Sequence, residues 1–163
     1  VQGLATSLAD LAATLEVRGL HVTVDVTGTE QLDETTEALV YRAAQEAVRN
    51  IVRHADASSV TLSVARAGTL SANKRGQELV LRVRDNGCGF ETDNTAARGR
   101  GSVGLELLAA LVTSHGGTLT IDASPGQGTE LVLRVPLPPS PAPTVDPAQR
   151  QDAHEQDVAG ALR

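Results

Sequence analysis

AAQEAVRNIVRHADAS, residues 43–58, closes a helical run expected over 34–55. Its apolar positions Val40, Ala44, Ala47, Val48, Ile51 and Ala55 recur at helical spacing and make one core face. Glu46, Asn50 and Arg53 then fall within about 60° of one another, on the side away from that face. A carboxylate, an amide and a guanidinium on one stripe can be nothing more than a solvated helix face. Two features argue otherwise: Asn is a poor residue for a helix middle, and Glu with Asn supplies the base and the hard oxygen ligand that a magnesium-phosphate site requires.

Downstream, Asp85-Asn86-Gly87-Cys88-Gly89-Phe90 follows directly on a strand-like run, ELVLRVRD at 78–85. An Asp at a strand end can accept a hydrogen bond from a buried donor, and the glycines let a flat ligand approach the backbone. An Asn-Gly hairpin turn would read the same way. Gly99-Arg100-Gly101-Ser102-Val103-Gly104 runs into a helix expected at 105–114, where free backbone N–H groups and the helix dipole favour an anion, although a flexible connector would look similar. Pro125-Gly126-Gln127-Gly128-Thr129 is a tight turn whose hydroxyl could meet a phosphate; turn chemistry alone accounts for most of it.

The remaining elements frame these motifs. Leu4, Leu8, Leu11 and Leu15 form a narrow seam on a helix over 4–18, stopped by Gly19. HVTVDV at 21–26 alternates as a strand does, and 29–33 offers turn and capping residues before the long helix. Strands are also expected at 58–66, 118–123 and 129–135, with GTLSANKRGQ at 68–77 as a polar connector. This order suggests an α/β fold with a mixed sheet and helices on one face. Six of the seven prolines lie between Pro136 and Pro147, so 138–163 reads as a disordered tail; an ordered helix over 148–162 is the alternative.

Composition narrows the function. The 163 residues carry 20 acids against 14 bases, a net charge of −6, with one tyrosine (Tyr41) and one phenylalanine (Phe90). Such a chain is a poor binder of nucleic acid by either phosphate contacts or base stacking. One cysteine, Cys88, excludes an intramolecular disulfide. No apolar stretch approaches the roughly 18–20 residues of a membrane helix, and the chain holds no Met, so it reads as a fragment of a longer cytoplasmic protein, in a parent that the inner membrane could anchor.

Taken in order, E-x-x-x-N on a helix, D-x-G-x-G after a strand, a glycine cluster opening a helix and G-x-G-T before a last strand resemble the ATP-binding catalytic domain of two-component sensor histidine kinases, the fold shared with gyrase, Hsp90 and MutL. Residues 43–58 look like the N box of the nitrate/nitrite-sensor subfamily. The resemblance covers about 20–136 and implies a two-layer α/β sandwich: a mixed, mostly antiparallel sheet of about five strands, covered on one face by about three helices. It implies that Glu46 orients or deprotonates an attacking histidine and that Asn50 binds Mg²⁺. Arg53 would contact phosphate and His54 would lie against the nucleotide. Asp85 would accept the adenine amino hydrogen, with Gly87 and Gly89 shaping the pocket and hinging a short lid before Gly101. Gly101, Ser102, Val103, Gly104 and Leu105 would line the phosphates and Thr129 the pocket floor.

Two departures are visible: Ser102 stands where many members have a glycine, and the next helix reads ELLAALV. None of His21, His54, His115 and His154 has an Arg/Glu-Leu before it and an Asp after it, so the phosphoacceptor segment is missing. The resemblance therefore implies a catalytic half that binds Mg-ATP and phosphorylates a histidine on its parent's dimerisation domain, for relay to a response regulator. The parent would be a homodimer and the fragment a monomer. Residues 1–19 would be the end of the dimerisation helix, 20–137 the catalytic domain. Two rivals share the fold, an anti-sigma-factor-like serine kinase and a nucleotide-binding module without catalysis. Glu46 favours chemistry over mere binding, and the coil-like seam at 4–18 favours the histidine kinase.

Overall fold

A computed structural model describes residues 3–71, 74–90 and 103–138. The polypeptide starts with α1 (Leu4–Glu16), β1 (His21–Val26) and α2 (Glu34–Asn50). A single π-helical turn, Ile51–Ala55, extends α2. Then come β2 (Ser59–Ser71), β3 (Lys74–Asp85), α3 (Val103–Ser114), β4 (Thr118–Ser124) and β5 (Gly128–Leu137). Gly101, Ser102, the lid and the segment beyond 138 lie outside the described residues, as does the side chain of Val103.

The five strands form one sheet in the order β1-β2-β3-β5-β4. β1 and β2 are parallel, and a parallel pair needs a crossover, which α2 supplies. All other pairs are antiparallel. The mixed sheet and the three helices agree with the expected architecture. The connector at 68–77 does not: the β2–β3 ladder continues to Ser71 opposite Lys74, because the strand arms keep pairing beyond the part that the helices cover.

Alternation sets the two faces of the sheet. Val60, Leu62 and Val64 on β2, Leu79, Leu81 and Val83 on β3, and Leu131, Leu133 and Val135 on β5 are all buried. They meet Leu39, Val40, Ala43, Ala44, Ala47, Val48 and Ile51 of the α2 arm, and Leu108 and Val112 of α3. A fully buried Leu or Val contributes roughly 1.5–3 kcal/mol, so this layer is the main source of stability. The leucine seam of α1 belongs to the same core: Leu4, Leu8 and Leu15 are buried, and α1 packs on α2 and β1. That side of the helix is therefore filled within this chain, and the seam no longer distinguishes a histidine kinase from its rivals. α1 ends in a Schellman closure, with Leu20 N–H donating to Leu15 O and Gly19 N–H to Glu16 O around Gly19 at φ 87°. No helix among the described residues is long and apolar enough to cross a membrane.

Asp33 caps α2, its carboxylate accepting the backbone N–H of Thr36 at 2.9 Å and the Thr36 hydroxyl at 2.7 Å. The hydroxyl bond, followed by the backbone bond, holds the Asp33 carboxyl below its ordinary value of 3.8. Because the folded value is the depressed one, the cap's contribution is complete above the ordinary carboxylate range and fades as pH falls below it. Asp33→Ala is expected to cost about 1 kcal/mol at neutral pH. Asp33→Asn should keep most of the cap while removing its acid sensitivity. Chemical denaturation of both variants at pH 7 and pH 3 checks this.

Candidate functional site

Residue parity continues past the core of β3. Leu79, Leu81 and Val83 face the helices, so Asp85 does too, and it is 5% exposed. Its register partner is Thr129 on β5, half-buried and on the same face. One oxygen of Asp85, Oδ1, accepts the backbone N–H of Gly87 at 2.8 Å. The other carries no hydrogen bond among the described residues and can accept one from a ligand.

The backbone after Asp85 is pressed against the end of the α2 arm. Cys88 N–H donates to the carbonyl of Ala55 at 2.6 Å, and the Cys88 thiol to the carbonyl of His54 at 3.0 Å. A Cβ on Gly87 would lie 2.0 Å from the Ala55 oxygen, so only glycine permits this approach. Gly89, at φ 58°, is equally confined, 2.1 Å separating a Cβ there from the Ser124 carbonyl oxygen. The two glycines thus fix where the strand ends meet the helix end. No Asn-Gly hairpin forms: Asn86 turns its Oδ1 to the N–H groups of Ser58 and Ser59 and so joins β3 to the start of β2.

The second half of the site lies at Glu46. It was expected on the face away from the core, yet it is 7% exposed. Gly104, near the start of α3, sits directly on it, since a Cβ there would be 2.8 Å from Glu46 Oε2. Oε2 is buried and has no hydrogen-bond partner among the described residues, whereas Oε1 accepts from Arg49 Nη1 at 2.7 Å. Leu105 is half-buried and packs on the core.

The stripe of Glu46, Asn50 and Arg53 is broken. α2 ends at Asn50, and the wider π turn carries Arg53 off the line that a continuous α-helix would keep. Arg53 and His54 are exposed, and the guanidinium beside Glu46 belongs to Arg49. Asn50 is half-buried, and its amide makes no hydrogen bond among the described residues that would compete with a ligand. Asp56, at φ 47°, closes the π turn in the left-handed region.

The described site residues thus form two groups joined by the α2 arm: Asp85, Gly87, Gly89 and Thr129 at the ends of β3 and β5, which meet the arm at Ala55 through Gly87, and Glu46 with Gly104 one helix arm away. From Glu46 to Ala55 is nine residues, roughly 13 Å at the helical rise, comparable to the reach of a nucleoside triphosphate. Sequence reasoning missed Arg49, whose signal is its position three residues after Glu46. It quoted Gly128 within G-x-G-T without giving it a role; a Cβ there would lie 2.0 Å from the Asp85 carbonyl oxygen.

Residues 35–139, more than half of the chain, match the model of the histidine kinase-, DNA gyrase B-, and HSP90-like ATPases. The chain belongs to this ATPase family. Among its relatives is the signal transduction histidine-protein kinase/phosphatase DegS of Bacillus subtilis, 31% identical over 108 residues, 66% of this chain and 26% of DegS. This chain therefore spans about a quarter of that protein's length. The histidine kinase domain of the Erythrobacter litoralis blue-light activated histidine kinase shares the fold, with a TM-score of 0.63 at 20% identity over 83% of this chain and 61% of that one. The ATP binding domain of PrrB from Mycobacterium tuberculosis is 26% identical, with a TM-score of 0.56, and is covered to 95% by 83% of this chain.

Proposed function

We propose that this chain is the ATP-binding catalytic domain of a sensor histidine kinase, and that it transfers the γ-phosphoryl group of ATP to a histidine on a partner domain of its parent. The observation that carries the reading is the burial of Glu46 at the start of α3, with one oxygen unpaired among the described residues. Adenine recognition does not need that carboxylate; a reaction at the phosphate end does. The names of the matched relatives support the kinase reading over the anti-sigma type.

The residues fit the nucleotide in a definite direction. Asp85 accepts the adenine amino hydrogen, with Thr129 beside it, and the glycines at 87 and 89 let the flat base approach the backbone. The triphosphate then runs along the α2 arm toward Gly104 and the α3 N-terminus, whose N–H groups and dipole favour an anion. In the transfer, a ring nitrogen of the acceptor imidazole forms a bond to the γ-phosphorus. The bond to the bridging oxygen breaks, and its electron pair leaves on ADP. Glu46 orients the imidazole and takes the proton of the other ring nitrogen.

Mg²⁺ fits this donor set. Among the described residues no group of three His, Cys, Asp or Glu could hold a metal by itself, but Mg²⁺ keeps its waters and needs only one or two protein oxygens beside phosphates. Asn50 offers one, with an amide not committed elsewhere. When bound, the ion neutralises charge on the phosphates. Asn50→Ala is expected to leave adenine contacts intact and to abolish the gain in ATP affinity that Mg²⁺ confers. Calorimetry with and without Mg²⁺ checks this, and an undiminished metal effect in the variant would remove Asn50 from the site.

The acceptor domain, the parent homodimer and the downstream response regulator belong to the same proposal. So do a cytoplasmic setting and the division into 1–19, the end of a dimerisation helix or linker whose leucines pack into the shared core, and a catalytic domain over 20–137.

A further inference from the structure

Arg49 has no role in the motif reading, and its place three residues from Glu46 is that of an ordinary helix-surface pair. The surroundings are not ordinary. Glu46 is buried, its Oε1 is held by Arg49 Nη1 at 2.7 Å, Gly104 lies over the whole carboxylate, and Oε2 has no hydrogen-bond partner among the described residues. The Arg49 side chain is itself half exposed, so its guanidinium reaches the carboxylate from the solvent side. Arg53, the arginine that the motif suggested, is exposed on the far side of the π turn and makes no hydrogen bond to Glu46.

We propose that Arg49 is a positioning residue for phosphoryl transfer: it pins one oxygen of Glu46 and so holds the carboxylate in one orientation at the start of α3, where the acceptor imidazole would meet the γ-phosphate. This rests on the reading of Glu46 given above. A carboxylate has two equivalent oxygens and a flexible stem. Held by one oxygen, Glu46 keeps its carboxylate in a single orientation, already stripped of water, and the lone pairs of the other oxygen are the ones not engaged among the described residues. Without Arg49 the carboxylate turns toward solvent, where its charge is hydrated. Gly104 completes the arrangement from the opposite side, because any side chain there would occupy the space of the Glu46 carboxylate.

The test uses the 163-residue chain with its parent's phosphoacceptor domain added, γ-labelled ATP, and the variants Arg49→Ala, Arg49→Lys, Glu46→Gln and the double variant Arg49→Ala/Glu46→Gln. Glu46→Gln should slow transfer about 100-fold or more. Arg49→Ala should slow it about 100-fold, with the KM for ATP and the melting temperature little changed, and Arg49→Lys should recover part of the loss. The double variant should be no slower than Glu46→Gln alone, because Arg49 acts only through Glu46. If Glu46→Gln is slow but Arg49→Ala stays within twofold of wild type, or if the two losses multiply, Arg49 does not position Glu46. A Glu46→Gln variant as fast as wild type would instead overturn the reading of Glu46 itself, and the proposal with it.

Discussion

Replacing Asp85 by Asn is expected to lower the affinity for ATP about ten- to a hundredfold while leaving the fold in place. Asn matches Asp in shape, and its carbonyl oxygen can still accept the Gly87 N–H now bound by Oδ1. What it presents to the ligand is an NH₂ group in place of a carboxylate oxygen. A donor then faces the adenine amino group in a site only 5% exposed, and two donors left without acceptors cost about 1–3 kcal/mol. The same argument predicts selectivity. Guanine carries a carbonyl oxygen where adenine carries its amino group, so it meets the Asp85 carboxylate acceptor to acceptor, and Asp85→Asn should narrow the preference for ATP over GTP. Titration with fluorescent ATP and GTP analogues, beside a thermal melt, reads both effects. Equal ATP affinities would place the base elsewhere.

Gly87→Ala should be strongly destabilising. The new carbon would lie 2.0 Å from the Ala55 oxygen, 2.7 Å from its carbonyl carbon and 2.8 Å from its Cβ. Two of these are backbone atoms at the end of the π turn, which cannot swing aside as the tip of a side chain does. Relief requires β3 and the α2 arm to separate, and that breaks the 2.6 Å bond from Cys88 N–H to Ala55 O. Overpacking of this kind costs about 1–3 kcal/mol and at times more. At about 2–4 °C per kcal/mol for a chain of this size, the melting temperature should fall by roughly 6–12 °C for a loss of about 3 kcal/mol. Gly68→Ala is the control, since a Cβ there meets nothing within 4 Å. It should melt with the wild type.

Much of this arrangement was legible in the sequence because the residues that carry it obey a period. The alternation of Leu79, Leu81 and Val83 already places Asp85 on the helix side, and Leu131, Leu133 and Val135 do the same for Thr129. Asp33 was readable as a cap from its place before a helical run. What failed was what no local period records. The π turn keeps Ile51 and Ala55 buried, so the apolar spacing over 34–55 looks the same whether or not the helix widens, and Arg53 was placed on one stripe with Glu46 and Asn50. The burial of Glu46 depends on Gly104, 58 residues later, coming to rest on its carboxylate. The long arms of β2 and β3 were missed because GTLSANKRGQ lacks the alternation that a buried face imposes. The α1 seam was seen correctly as apolar, but its spacing does not say what fills it.

Phosphoryl transfer requires the nucleophile in line with the γ-phosphate, and a group held in place can have an effective molarity of about 10⁵ M or more. In this chain no histidine stands in an acceptor-like context, and His54 is at the end of the arm that leads to Asp85. The decisive measurement is therefore incubation with γ-labelled ATP, alone and with the phosphoacceptor domain of its parent, followed by acid. The account predicts no label on the lone chain and acid-labile label on a histidine of the added domain. Acid-labile label on the lone chain, or acid-stable label on a serine of a partner protein, would contradict it.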